Sequence, residues 1–380
     1  MGFGCWLLTV GFSMKKKVFI SLSLGIVISF ASLYFAFKNV PFDELSAYMS
    51  AIDGFWTTIS VLIVVLCFVL RAIRWQVIVG STRKIGFLQA FHPLMIGFMI
   101  NCILPGRAGE VARPVILQKN EQVPFSTGLA TVAAERIFDF MLLIVFFAFV
   151  LTTIEIDPDL EMTFGKFHLN RETLISVGTG MGKLSILLIA GIVMLTIEKS
   201  RRLIKKLIQM IPAIFFWTGS EAREKIKLKI CTPLSGLVDH LSDGFELLKH
   251  PEKIGACIGL SSIIWGLSAF SYYTMSLGCP GVALSFLEIS GVMIIVCFFI
   301  ALPSVPGFWG LWEAGGIFAL TLFGISTSHA AGYTLANHAV QMFPIILIGF
   351  GSAVATGINI LKVSYGKETE VECPRVKADS

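Results

Sequence analysis

Apolar residues run along this chain in blocks of roughly 20, the length a helix needs to cross a bilayer, and polar residues gather between the blocks. The pattern predicts six full membrane helices: residues 18–37, 55–70, 125–151, a segment ending near 197, 254–277 and 329–361. Two further apolar runs, 85–104 (interrupted at Pro93) and 285–302, lead into sequences that hydrocarbon does not accept unaided. The first is Asn101-Cys-Ile-Leu-Pro105-Gly106-Arg107-Ala-Gly109-Glu110-Val-Ala-Arg113-Pro114, with two prolines, two glycines and three charges. The second holds Pro306-Gly307-Phe308-Trp309-Gly310-Leu-Trp312-Glu313. Broken backbone and ions survive at membrane depth only inside protein or against a water-filled cavity. Each stretch is followed by too little apolar sequence for a full crossing, so each reads as the mouth of a re-entrant hairpin.

The two stretches share a pattern. Pro105-Gly106-x-x-Gly109-Glu110 faces Pro306-Gly307-x-x-Gly310-x-x-Glu313, and 25 residues separate Glu110 from Glu135 as well as Glu313 from His338. Basic residues then set the sides. Lys15 to Lys17, the group Arg71 to Lys84 and the cluster from Lys199 to Lys206 fall inside. Loops carrying Asp43 and Glu44, and later Glu155 to Glu161, fall outside, in line with the positive-inside rule. By that count the first hairpin opens inward and the second outward, an inverted repeat of the kind transporters use to build a midplane site. Chance recurrence of Pro-Gly-Gly in glycine-rich helices is the plain alternative.

The organisation follows. Residues 1–14 read as a start-site extension ahead of Met14, and residues 15–362 as one membrane domain. Within it lie a first repeat at about 55–151, a cytoplasmic amphipathic linker at 198–252 and a second repeat at about 253–362. Residues 363–380 are a polar cytoplasmic tail. In the linker, Leu203, Ile204, Leu207, Ile208 and Ile211 share one helical face opposite the bases, as in a helix lying on the inner leaflet or an ordinary linker helix. Composition agrees: 55% of the 380 residues are hydrophobic and 14% charged, against ~25% charged in a soluble domain. The fold class is an all-α polytopic membrane protein with both termini cytoplasmic. Its setting is the plasma membrane of a prokaryote.

Function should rest on the charges that the apolar blocks contain. Arg107 and Arg113 lie on the first hairpin, and a guanidinium meets phosphate oxygens two at a time. Each could instead pair internally with Glu110 or Glu135, or snorkel. Glu135, Arg136 and Asp139 share an apolar helix, and Glu135 and Asp139, four apart, lie on one face. Their pairing is either static or opened by substrate or proton. Glu313 and His338 are the second-repeat counterparts, and His338 is either a proton-coupling group or a satisfied core residue. Asn101, Pro105, Gly106, Gly109, Pro306, Gly307 and Gly310 form the hairpin backbone and would expose helix N-termini, which attract anions. Phe308, Trp309 and Trp312 line a path for lipid tails or anchor at the interface. Arg71, Arg74 and Trp75 read as interfacial anchors at a helix end. The eight cysteines show no CxxC spacing, and no Walker A, GxGxxG, HExxH or nucleophile triad is present. No catalytic residue, metal, cofactor or nucleic-acid partner is expected.

Arg71-x-x-Arg74-Trp75, Asn101 to Arg113, Glu135-Arg136-x-x-Asp139 and Pro306-Gly307 with Glu313 together resemble the lysylphosphatidylglycerol synthase transmembrane-region family. This flippase-like membrane domain also forms the N-terminal half of multiple peptide resistance factors. The likeness covers residues 16–361. It implies a domain that translocates or binds lipid. The aminoacyl-transferase domain of bifunctional relatives is not expected here, the sequence running about 20 residues beyond the last block. The expected function is transbilayer movement of an anionic phospholipid or lipid-linked glycan, by a non-enzyme. The alternative is a membrane-embedded transferase or accessory subunit in polyprenyl-phosphate, hopanoid or aminoacyl-phosphatidylglycerol metabolism. A lipid-synthesis enzyme and a second copy of the chain are the expected protein partners.

Overall fold

A computed structural model describes residues 40–104, 107–153, 197–214, 227–232, 250–301 and 306–358, with a short ribbon and isolated positions besides. The start-site extension, most of the first predicted span, the acidic loop, the span before residue 197, most of the second half of the linker, Pro105, Gly106 and the tail lie outside the described residues.

The elements are α1 (Phe42–Ser50), α2 (Gly54–Val79), α3 (Phe87–Ile103), α4 (Ala108–Glu121), α5 (Phe125–Thr153), α6 (Glu198–Ile214), α7 (Pro251–Leu277), α8 (Phe286–Ala301), α9 (Leu311–Leu322) and α10 (Thr327–Thr356). A two-stranded antiparallel ribbon, Met162–Phe164 against Phe167–Leu169, is the one strand pairing among the described residues. Nor is the segment between the first two predicted spans a plain loop, because α1 occupies most of it. Among the described residues three helices, α2, α7 and α10, are long and apolar enough to cross a membrane. Their outer faces carry Leu62, Ile263, Leu347 and Val354 in the open, an arrangement suited to lipid as solvent.

Helix lengths repeat along the chain. α2 to α5 have 26, 17, 14 and 29 residues, and α7 to α10 have 27, 16, 12 and 30. Each quartet is a long helix, two short helices packed on one another, and a long helix. The residue before each second short helix has a positive φ: Arg107 at 54° before α4 and Gly310 at 88° before α9. An acid stands three positions later in both, Glu110 and Glu313, near the helix N-terminus where a carboxylate is favoured.

Local chemistry explains the boundaries. Asp53 Oδ1 accepts from Phe55 N at 2.7 Å and starts α2. Pro251 opens α7, where the missing N–H costs nothing. Asn101 Oδ1 accepts from Gly109 N at 2.8 Å and ties the end of α3 to the start of α4. α3 does not break at Pro93 as the sequence suggested; it runs through it, held by contacts on both sides. α3 and α4 touch backbone to backbone at Gly97 and Gly109, where a methyl group on Gly109 would overlap the Gly97 carbonyl. The core proper lies between α2 and α7, bound by Ser60 and Ser271 at 2.9 Å, and continues into α3, α8 and α10.

Candidate functional site

Four helices converge on one group of charges. α2 supplies Arg71 and Arg74, α4 supplies Arg113, and α5 supplies Glu135, Arg136 and Asp139. α7 adds Ser261 and Trp265. Arg74 grips both acids: Nη1 lies 2.6 Å from Asp139 Oδ1, and Nη2 lies 3.1 Å from Asp139 Oδ2 and 3.2 Å from Glu135 Oε1. Glu135 Oε2 accepts from Arg113 Nη2 at 2.6 Å, and its Oε1 accepts from Arg136 Nη2 at 2.8 Å. Asp139 also meets Trp265 Nε1 at 3.2 Å and Arg71 Nη1 at 3.5 Å. Arg74 donates to Ser261 Oγ at 2.7 Å. The side chains of Arg74 and Glu135 are wholly buried, and that of Arg136 is 35% exposed.

This geometry corrects the reading of Arg71, Arg74 and Trp75 as interfacial anchors. α2 continues past residue 70 to Val79, which carries the cluster into the protein, and Arg74 and Trp75 are 0% exposed. Trp75 is a platform: the Arg113 guanidinium lies 4.3 Å from its ring centroid, and its indole N–H donates to Thr131 Oγ1 at 3.2 Å. The sequence does not by itself identify Thr131, Ser261 or Trp265 as site residues. A signal for Thr131 was available, since Thr127, Thr131, Glu135 and Asp139 recur every fourth residue and form one buried polar stripe along α5. The stripe begins at a cavity of about 490 Å3 lined by Ser81, Thr82, Arg83, Gln122, Val123, Pro124 and Thr127.

Arg107 stands apart from the cluster. It is exposed, pairs with neither Glu110 nor Glu135, and donates from Nη2 to Ile300 O at 3.0 Å at the end of α8. Its guanidinium also lies 6.0 Å from the Phe308 ring centroid. Gly307 packs beside the Cys102 carbonyl. The two irregular segments, far apart in sequence, thus abut. Glu110 is half-buried and makes no ion pair among the described residues, although it acts electrostatically on Arg113 and Arg136.

A second buried group sits in the later quartet. His338 Nδ1 lies 2.6 Å from Glu313 Oε1, and Nε2 lies 2.9 Å from Gly307 O. Glu313 Oε2 accepts from Gly310 N at 2.7 Å. Both ring nitrogens therefore face oxygens, so the arrangement holds while the histidine–carboxyl pair retains a proton to share. Trp312 stacks on the imidazole with centroids 4.5 Å apart and planes 2° from parallel, and Trp309 packs at 4.5 Å on it. These tryptophans clamp His338; they are not anchors at an interface. Glu313 and His338 meet at their spacing of 25, whereas in the first quartet it is Arg113, not Glu110, that meets Glu135. Among the described residues no cluster of His, Cys, Asp and Glu suits a metal ion.

Comparison with known proteins agrees with this architecture. The family described as "Lysylphosphatidylglycerol synthase TM region" matches residues 22–349. The chain is 22% identical to "Glycosyltransferase AglD" of Haloferax volcanii over 381 residues, covering 93% of this chain but only 57% of that protein. It is 23% identical to a "UPF0104 membrane protein" of Methanothermobacter thermautotrophicus over 360 residues, covering 90% of this chain and 94% of the relative. No solved structure matches. With residues 22–349 matched, most of its length, this chain belongs to the lysylphosphatidylglycerol synthase transmembrane-region family.

Proposed function

We propose that the protein moves an anionic phospholipid or a lipid-linked glycan between bilayer leaflets. The headgroup passes through a polar groove between two opposed re-entrant hairpins, α3–α4 and α8–α9, while the tails stay in lipid. Arg107, Arg113 and Arg136 receive the headgroup charge. Glu135 and Asp139 hold the arginines when the site is empty, Glu110 acts on them electrostatically, and Glu313 with His338 fastens the second hairpin. The topology is six full spans with both termini in the cytoplasm of a prokaryote. The matching quartets support the repeat, and the archaeal relatives support the setting.

One observation carries the reading. The two irregular segments abut, through Gly307 at the Cys102 carbonyl and Arg107 at the Ile300 carbonyl, and α4, which follows the first of them, carries Arg113 into a buried cluster of charged groups. A bilayer tolerates charges only where protein or water shelters them, and a groove for a charged headgroup needs such a place. The test is reconstitution into liposomes with fluorescent lipids of anionic and zwitterionic headgroups. Faster flipping of an anionic lipid is the expected result. Liposomes whose labelled lipids all move at the protein-free rate would end the proposal.

A specific observation favours a second reading. One relative is called a glycosyltransferase, and this chain aligns with little more than half of it. The chain would then serve lipid-linked glycan synthesis as a membrane-embedded transferase or accessory subunit. Purified protein would turn over a lipid substrate, or bind a synthesis enzyme, without moving lipid.

A further inference from the structure

The fastening of the second hairpin contains a proton that can leave; that of the first does not. Gly307 O only accepts hydrogen bonds, so His338 Nε2, 2.9 Å from it, carries a hydrogen. The other ring nitrogen, Nδ1, lies 2.6 Å from Glu313 Oε1, too close for two bare lone pairs. A second proton therefore sits between them, on the ring or on the carboxyl, and the buried pair is neutral as a whole. Glu313 Oε2 is already committed to Gly310 N at 2.7 Å. The two side chains thus hold the backbone at both ends of residues 307–310. Three residues of that segment have a positive φ: Gly307 at 68°, Phe308 at 61° and Gly310 at 88°. An L side chain resists this region, so Phe308 stays there only while the segment is held. The same segment abuts the first hairpin, at Cys102 O and beside Arg107.

Without the shared proton, one ring hydrogen is left for two acceptors. The Glu313 carboxylate, charged and nearer, takes it at Nδ1. Nε2 then turns a bare lone pair on Gly307 O, and the released proton goes to water. Resting on the lipid-moving reading, we infer that Glu313 and His338 form a proton-binding site. Release of one proton frees residues 307–310 from the first hairpin and opens the groove to the headgroup. The first hairpin does not answer to pH in this way, because Arg113 and Glu135 fasten it and a guanidinium keeps its proton. Among the described residues Glu313 is the only charged partner of His338. Trp309 and Trp312 cover the imidazole. Tyr272 of α7 stacks on Trp312, Tyr333 of α10 donates to Tyr272 O, and Cys297 of α8 acts on Tyr272. Tyrosine and cysteine are uncharged at about pH 7. α3 presents Cys102 through its carbonyl, and His92, at the other end of α3, lines a cavity with Thr356. Glu44 and Tyr48 of α1 meet Ser328 and His329 at the start of α10. Arg71 and Arg74 of α2 are bound by Asp139.

The test is hydrogen–deuterium exchange of the purified full chain in zwitterionic nanodiscs, read by mass spectrometry and corrected for the intrinsic effect of pH on exchange. The series runs from about pH 5 to about pH 8, the range in which an imidazole changes charge. Protection at residues 307–313 should fall as pH rises, by up to about tenfold per pH unit, the slope for loss of one proton. The Arg113 and Glu135 regions should keep theirs. Glu313→Gln supplies an amide that donates to Nδ1 and still accepts from Gly310 N. It needs no shared proton, so its protection should stay level. In liposomes, lipid movement by the wild type should speed up over the same rise in pH. Level protection in the wild type would overturn the inference, and so would a fall of equal size in Glu313→Gln. Lipid crossing at one rate at every pH, despite a loss of protection, would overturn the coupling of proton to lipid. Loss of protection with no lipid movement at any pH would keep the proton site and end the lipid-moving reading.

Discussion

Arg113 of α4 and Glu135 of α5 meet at 2.6 Å with both side chains buried, and Arg74 and Arg136 hold the other oxygen of the same carboxylate. Glu135 is thus shared by three helices, counting α2. Breaking a buried pair costs about 3–5 kcal/mol because a charge is stranded; here Arg113 would lose its one ion-paired acid among the described residues, while Arg74 and Arg136 would keep Asp139. Glu135→Ala should therefore lower stability by at least that amount, and Glu135→Gln by less. Thermal unfolding in detergent measures both. An unchanged midpoint for Glu135→Ala would show that the pair carries no structural weight.

Arg107 gives the opposite expectation. It is exposed, has a single backbone acceptor and occupies the left-handed region at φ 54°. A non-glycine residue there gives up roughly 1–2 kcal/mol. Arg107→Gly should keep or raise the unfolding midpoint while flipping of anionic lipid falls sharply. Full flipping by this variant would remove Arg107 from the headgroup path.

Gly109 is a packing requirement. Its hypothetical Cβ would collide with the Gly97 carbonyl and press on Asn101. Gly109→Ala should force α3 and α4 apart and cost about 1–3 kcal/mol or more, the range for overpacking. A midpoint equal to wild type would mean the two helices are not in contact there.

The Glu313 pair separates charge from hydrogen bonding. Glutamine at 313 can still accept from Gly310 N and donate to His338, so Glu313→Gln should stay close to wild type in stability. Glu313→Ala leaves the Gly310 N–H and the imidazole Nδ1 without the partner each has in Glu313 and should cost about 1–3 kcal/mol. Equal destabilisation by the two variants would show that ionic charge, not hydrogen bonding, fixes the second hairpin.

Much of this was legible in the chain. Hydropathy set α5, α7 and α10 to within a few residues, because long apolar runs have a single favourable state in a bilayer. The irregular segments showed as proline, glycine and charge where lipid permits none. Pairing was harder to read. The 25-residue spacing marked Glu313 and His338 as counterparts of Glu110 and Glu135 without saying which of them touch, and it left Arg113 open between Glu110, Glu135 and a ligand; the fold joins Glu313 to His338 and Arg113 to Glu135. Periodicity gives a residue its face; which neighbour that face meets depends on helix rotation, and only the fold fixes that. Arg74 and Trp75 looked like anchors because an Arg/Trp pair at the end of an apolar run has two solutions, the interface or a buried partner. The acids that decide between them lie on another helix.

The most direct measurement is the rate at which a fluorescent anionic lipid crosses the bilayer of liposomes containing the wild type, compared with folded Arg136→Gln and Arg107→Gly. The account predicts rapid crossing with the wild type and crossing near the protein-free rate with either variant. Equal rates for all three proteins would contradict it, since the headgroup would then cross without the charges of Arg107 and Arg136.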